Sequence, residues 1–269
     1  MSTRPSALVL ASVLLGSSLL LATGVRATTQ RADAPFDQQT IARQLLSNDP
    51  SERRKALEAA RTIGPPNSSQ ALRAALITLL ERMNEIVDQS QQSQIPLDVV
   101  ENPEWIARVH HTVAALKEPA AIPALANALG IFTVIRALAD FGEQAAPAVV
   151  DVVMSPTRHH TAVDDGLRVL RFMVERRNTS PLSPETLAQI RRAARERLSG
   201  EQYFTTLWYA IDLAAVLDDA ELRRTLEELA TFPGEIAVRG VRDPRLIEQT
   251  QRRAADRLAG VPASPRPEF

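Results

Sequence analysis

Residues 119–153, PAAIPALANALGIFTVIRALADFGEQAAPAVVDVV, constrain the fold more than any other stretch, because they state one helical hairpin and then begin to state it again. Ile122-Pro123-Ala124-Leu125 returns as Ala146-Pro147-Ala148-Val149. Between the copies lies an apolar, Ala-rich segment closed by Phe141-Gly142, which reads as a second helix with a Gly cap before the next unit opens. Self-similarity of this kind predicts stacked helical hairpins, in which each unit buries its apolar face against its neighbour. Such stacks offer an extended surface for holding other molecules and need no catalytic centre.

The residues Ala121, Ile122, Pro123, Ala124, Leu125, Ala128 and Leu129, followed by Ala137, Leu138, Phe141, Gly142, Ala145 and Pro147, resemble HEAT-like repeats of the bacterial type. In those repeats a short helix opening on an A-I-P-A-L pattern is followed by a helix rich in Ala and Leu that ends in Gly. The likeness covers about one and a half units, with Leu217-Asp218-Asp219-Ala220-Glu221-Leu222 a weaker echo of the inter-helix turn. Pro123 and Pro147 are 24 positions apart, shorter than a typical unit, so the hairpin at 131–142 is expected to be truncated. The resemblance implies an α-solenoid with a binding role and carries over no catalytic residue.

Apolar spacing elsewhere predicts an all-α chain of about five to six hairpins. Ile41, Leu45 and Leu46 form a first stripe, and Ala56, Leu57, Ala60 and Ile63 a second, separated by Asn48-Asp49-Pro50 and closed by Gly64-Pro65-Pro66. Ser68 or Ser69 caps a long helix carrying Leu72, Leu76, Leu79, Met83, Ile86 and Val87. The run DQSQQSQ at 88–94 and the following IPLDVVENP are too polar and too Pro-interrupted to continue it, and read as a loop. Helix resumes at Pro103 with Trp105, Ile106, Val109, Val113 and Leu116, and further helices are read at 144–154, 161–177, 184–198, 202–217, 219–231 and 243–259. Phe232-Pro233-Gly234 reads as a break. The resulting organisation is a repeat domain over 37–260, with a loose segment at 28–36 before it and a Pro-rich tail at 261–269 after it.

The first residues read as an export signal. Arg4 provides a positive start, an apolar run follows from Ala7 to Leu21, and Val25-Arg26-Ala27 supplies small residues at a cleavage site after Ala27. The alternative is an uncleaved anchor, which would tether the protein to a membrane. The expected compartment is therefore the periplasm or the exterior, although the chain contains no Cys and its fold must rest on apolar burial. With residues 1–27 removed from 269, 242 remain, enough for one continuous core. The 31 basic and 32 acidic residues lose Arg4 and Arg26 in that step, leaving a charge of about −3. That balance gives no electrostatic support for nucleic-acid binding.

Chemistry-bearing residues are few. The four histidines occur as the adjacent pairs His110-His111 and His159-His160, and neighbours on a helix diverge by about 100°, so the pairs read as solvated helix-end residues. His160 and Asp164 have the four-residue spacing of a helical metal site and are the weak candidates for one. The acid pairs Asp164-Asp165, Asp218-Asp219 and Glu227-Glu228 fit helix starts or exposed faces. No Gly-rich phosphate loop, nucleophile elbow or H-E-x-x-H helix is present, and no cofactor is expected. Phe204, Trp208, Ile211 and Ala215 share one helical face and read as core, whereas Tyr203 and Tyr209 fall off it. Tyr203 and Tyr209 beside Asp212 are therefore expected to contact a partner, with Arg168 and Arg171, spaced for one helical face, lining the same wall. The sequence thus predicts an exported scaffold for a protein or peptide. The alternative is an enzyme, or a lyase-type accessory protein, that takes a small ligand in its groove.

Overall fold

Short polar residues placed just before apolar stripes start most of the helices. The computed structural model describes residues 37–94, 101–131 and 134–263, and the expected signal at 1–27, the segment at 28–36 and the end of the tail lie outside them. Helix α1 (Gln38–Leu45) is capped by Asp37, which accepts from the Gln39 N–H at 3.1 Å. Helix α2 (Pro50–Ile63) is capped by Asp49, which accepts from the Ser51 N–H at 2.7 Å, with Pro50 at the first helical position. The two pack on each other and α1 also packs on α3 (Gln70–Ser93), which buries Leu72, Leu76, Leu79, Met83 and Val87 at three- and four-residue spacing. Ser69 is its cap, accepting from the Leu72 N–H at 3.3 Å.

Helix α3 runs on to Ser93, so residues 88–93, read from sequence as the start of a loop, are helical. Ser90 continues the inward stripe of Met83 and Val87 and is 6% exposed, and Gln is a good helix former, so the polarity of the run does not end the helix. Residues 95–100 of that expected loop lie outside the described ones. Helix α4 (Pro103–Ala115) follows, its N-cap Asn102 accepting from the Glu104 and Trp105 N–H groups at 2.8 and 3.2 Å.

The two similar segments adopt similar local structures. A 3₁₀ turn at Pro119–Ala121 leads into α5 (Ile122–Asn127), and a 3₁₀ turn at Gly142–Gln144 leads into α7 (Ala146–Met154), each with Pro in the first helical turn. The helix between them, α6 (Ile135–Asp140), has only 6 residues, in accord with the short spacing of the two prolines. It gives way to the second 3₁₀ turn at Gly142, which takes the left-handed φ of 56°.

The remaining helices are α8 (His160–Glu175), α9 (Pro184–Ser199), α10 (Phe204–Val216), α11 (Ala220–Thr231), α12 (Pro233–Ala237) and α13 (Pro244–Leu258). Helix α12 occupies the Phe232-Pro233-Gly234 segment read as a break, because Pro233 sits at a helix start, where its missing N–H has no cost. Among the described residues there is no strand, and the described fold is all-helical. Packing runs mainly between near neighbours in sequence: α7 on α8 and α9, α8 on α10, α9 on α10, and α13 on both α10 and α11. One buried apolar cluster extends from Ile41 to Ala254. Backbones approach closely at Gly166, where an added Cβ would lie 2.6 Å from a methyl of Val153, which is how α7 and α8 nest. Among the described residues no helix is long and apolar enough to cross a membrane.

Candidate binding site

Helices α8, α10 and α13 run in the same direction, and their shared polar face holds most of the residues singled out in the sequence. Their starts meet at a cleft of about 550 Å³ whose lining includes His160, Phe204 and Leu246. Toward their other ends, Arg171 of α8, Asp212 of α10 and Arg253 and Arg257 of α13 come together. The face thus has an open end and a closed one.

At the closed end Asp212 is 1% exposed and is surrounded by three guanidinium groups. Arg253 forks onto it, donating from Nε at 3.0 Å to Oδ1 and from Nη2 to Oδ2. Arg257 donates from Nε to Oδ1 at 2.8 Å, and Arg171 from Nη1 to Oδ2 at 3.5 Å. Arg171 also pairs with Glu175 at 3.3 Å. Burying one carboxylate among three arginines is tolerable because the fork geometry satisfies its lone pairs and the excess positive charge reaches Glu175 and solvent. Asp212 is therefore an internal tie and not the exposed contact residue that its place beside Tyr209 led the sequence to predict. The reason is the neighbour from α13, forty residues on, which covers it.

Between the ends lie Arg168 and Tyr209. The Arg168 guanidinium sits 5.7 Å from the centroid of the Tyr209 ring and donates to Asp165 at 3.0 Å. Burial pushes the Asp165 carboxyl up, with Arg168 and the Gly130 N–H opposing it. Arg253 likewise lies 5.3 Å from the Trp208 ring centroid, and Trp208 donates from Nε1 to Thr250 at 2.8 Å. The structure thus brings Arg168 to Tyr209 and Arg171 to Asp212 on one face, and it adds Arg253, Arg257 and Trp208. The signal for the first two was the stripe Leu246, Thr250, Arg253, Arg257 at helical spacing.

The open end contains Tyr203, which is 61% exposed and stacks its ring on His160 at 3.9 Å between centroids and 12° between planes. His159 caps α8, its ring nitrogen accepting from the Thr161 N–H at 3.4 Å. Arg197 forms a wall of the cleft, donating to the carbonyls of Val153 and Ser155 at 2.7 and 3.0 Å. Arg158 and Arg242 also line it, as does one acid, Glu201, 3.9 Å from Arg242. Three helix starts add the positive end of their dipoles to this region.

The weak metal candidates each have another partner here. Asp164 is buried and accepts from the Thr206 hydroxyl at 2.5 Å, while His160 faces Tyr203. Among the described residues no three His, Cys, Asp or Glu side chains are placed to hold an ion together. The acid pair Asp164-Asp165 is accordingly neither at a helix start nor on an exposed face, because α8 is packed on both sides in its second turn. Asp219, by contrast, is the N-cap of α11. The other histidine pair also departs from expectation: His110 is wholly buried within α4, and only His111 is exposed.

The chain matches no family model, no curated protein and no solved structure.

Proposed function

We propose that this chain is an exported, non-catalytic binding protein that stacks its helices as an irregular HEAT-like solenoid and holds a protein or peptide partner. One observation carries the reading: an exposed tyrosine, Tyr203, lies stacked and oriented at the mouth of a cleft built where three helices begin. A large ring fixed in this way contributes contact area with little rotamer entropy to lose on binding, which is how aromatic anchors work at interfaces. The paired local structures at Ile122–Asn127 and Ala146–Met154 support the repeat reading. The apolar run at Ala7 to Leu21 supports export.

The test is affinity capture from cell-envelope extract with the full-length chain and with Tyr203→Ala in parallel. A partner retained by the parent and lost with the variant is expected. Capture of nothing by the parent under several salt conditions, or a partner retained equally by both, would count against the cleft as its seat.

A further inference from the structure

We infer that the cleft between the starts of α8, α10 and α13 takes an acidic peptide segment carrying an apolar side chain, a proposal that rests on the binding reading above and names its ligand chemistry. The cleft has two distinct walls. Phe204, Val241 and Leu246 present apolar surface, with Phe204 fixed edge-on to Trp208 at 5.2 Å between centroids. Opposite in character are Arg158, Arg197 and Arg242, against the single acid Glu201, which gives the lining two formal positive charges in excess.

The arginines differ in what they can offer. Arg197 is committed to the Val153 and Ser155 carbonyls and serves as structure. Arg242 is 86% exposed in its side chain, and its only ion pair among the described residues is the 3.9 Å contact to Glu201, itself 72% exposed. Such a loose, solvated pair contributes little and exchanges readily for a better-placed carboxylate. Arg158 donates from one terminal nitrogen to Asn127 and has a planar fork of further donors. A volume of about 550 Å³ is in the range that encloses a bulky side chain with its flanking backbone. A small inorganic anion would leave the apolar wall and the Tyr203 ring without contacts. A purely apolar segment would leave two guanidinium groups facing it. An apolar residue flanked by acids satisfies both walls.

The experiment is fluorescence anisotropy on the full-length chain with three fluorescein-labelled peptides of equal length: a central Phe flanked by Glu, the same Phe flanked by Lys, and a central Ala flanked by Glu. The Glu-Phe probe is expected to bind at least about tenfold more tightly than either of the others, with affinity falling as salt rises. In the double variant Arg158→Gln, Arg242→Gln, whose thermal melting should match the parent, the preference for Glu over Lys is expected to vanish. Tyr203→Ala should weaken all binding. Equal binding of the Glu and Lys probes, or a Glu preference that survives the double substitution, would overturn the proposal. If the Lys probe binds best and Tyr203→Ala abolishes it, the acidic chemistry is wrong and the cleft remains a peptide site. Binding of none of the three overturns the acidic-peptide proposal, while the capture experiment decides the broader reading on its own.

Discussion

Nε2 of His110 on α4 lies 3.1 Å from the side-chain oxygen of Asn84 on α3, inside the packing between the two helices. Nδ1 faces the Ile106 carbonyl at 2.7 Å, and Asn84 donates to the Ala124 carbonyl at 2.8 Å, so the pair ties α3, α4 and α5 together. Both ring nitrogens face oxygens, yet burial holds the imidazole pKa down to about 4 against its ordinary 6.5. At neutral pH the ring is therefore uncharged and carries one proton, so it donates to one of these two oxygens at a time.

The folded state resists protonating His110, whereas the unfolded chain does not, so the stability it confers is complete above about pH 6.5 and lost as pH falls toward 4. From this residue alone a loss of about 2 kcal/mol is expected between roughly pH 7 and pH 5. Urea denaturation of the parent and of His110→Gln at both values checks it. The variant should be less stable at the higher pH and should show a correspondingly smaller drop; equal drops would show that this histidine is not the source.

Removing the central acid of the ion cluster is expected to be among the most damaging single changes. Asp212→Ala leaves Arg171, Arg253 and Arg257 facing one another and should lower stability by about 3–5 kcal/mol. Replacing the exposed Glu227, paired with Arg223 on α11, should change it by less than about 1 kcal/mol. Chemical denaturation curves of the two variants would sink the idea if they coincided.

Leu125 and Leu138 are fully buried in α5 and α6, so Leu→Ala at either is expected to lower stability by about 2–5 kcal/mol. Thermal melting no lower than that of a surface variant would show that these short helices are not part of the cooperative core.

Gly130 tests a different contact. Its φ is 86°, and a Cβ there would lie 2.5 Å from the Ala162 backbone nitrogen at the start of α8. Gly130→Ala should therefore lower stability by more than the roughly 1 kcal/mol of a simple left-handed strain. A melting temperature within a degree of the parent would contradict the close approach.

Export is tested at the N-terminus. Val25 and Ala27 after the apolar run predict a mature start at Thr28, read by N-terminal sequencing of protein recovered outside the cytoplasm. Retention of Met1 or Ser2 in a membrane fraction would overturn the proposed cleavage in favour of a membrane tether.

The helices were legible where local chemistry decides them. Asp49-Pro50, the stripe from Leu72 to Val87 and the Pro-containing starts of α5 and α7 each combine a cap or a fixed φ with apolar spacing, and these signals need no distant partner. Polarity misled at residues 88–93, where a single small polar residue, Ser90, keeps the inward stripe going. Proline misled at Phe232-Pro233-Gly234, since it starts a helix as readily as it stops one. For the site, the sequence singled out Arg168, Arg171, Tyr209 and Asp212 as partner contacts, whereas Arg171 and Asp212 are buried together in the ion cluster. Whether an aspartate on a helix is a contact or a tie depends on the helix that lies over it, and the stripe on α13 shows that Arg253 and Arg257 share a face without showing which acid they meet.

The three-arginine tie at Asp212 also limits how this protein can change over evolutionary time. Loss of any one arginine leaves two, and the aspartate keeps a partner, so each can drift singly at modest penalty. Loss of the aspartate strands three charges at once and is survivable only with simultaneous replacements on both α8 and α13. Relatives of this chain should therefore vary the arginines one at a time while inheriting position 212 as an acid, or exchange the whole quartet for apolar residues in a single lineage.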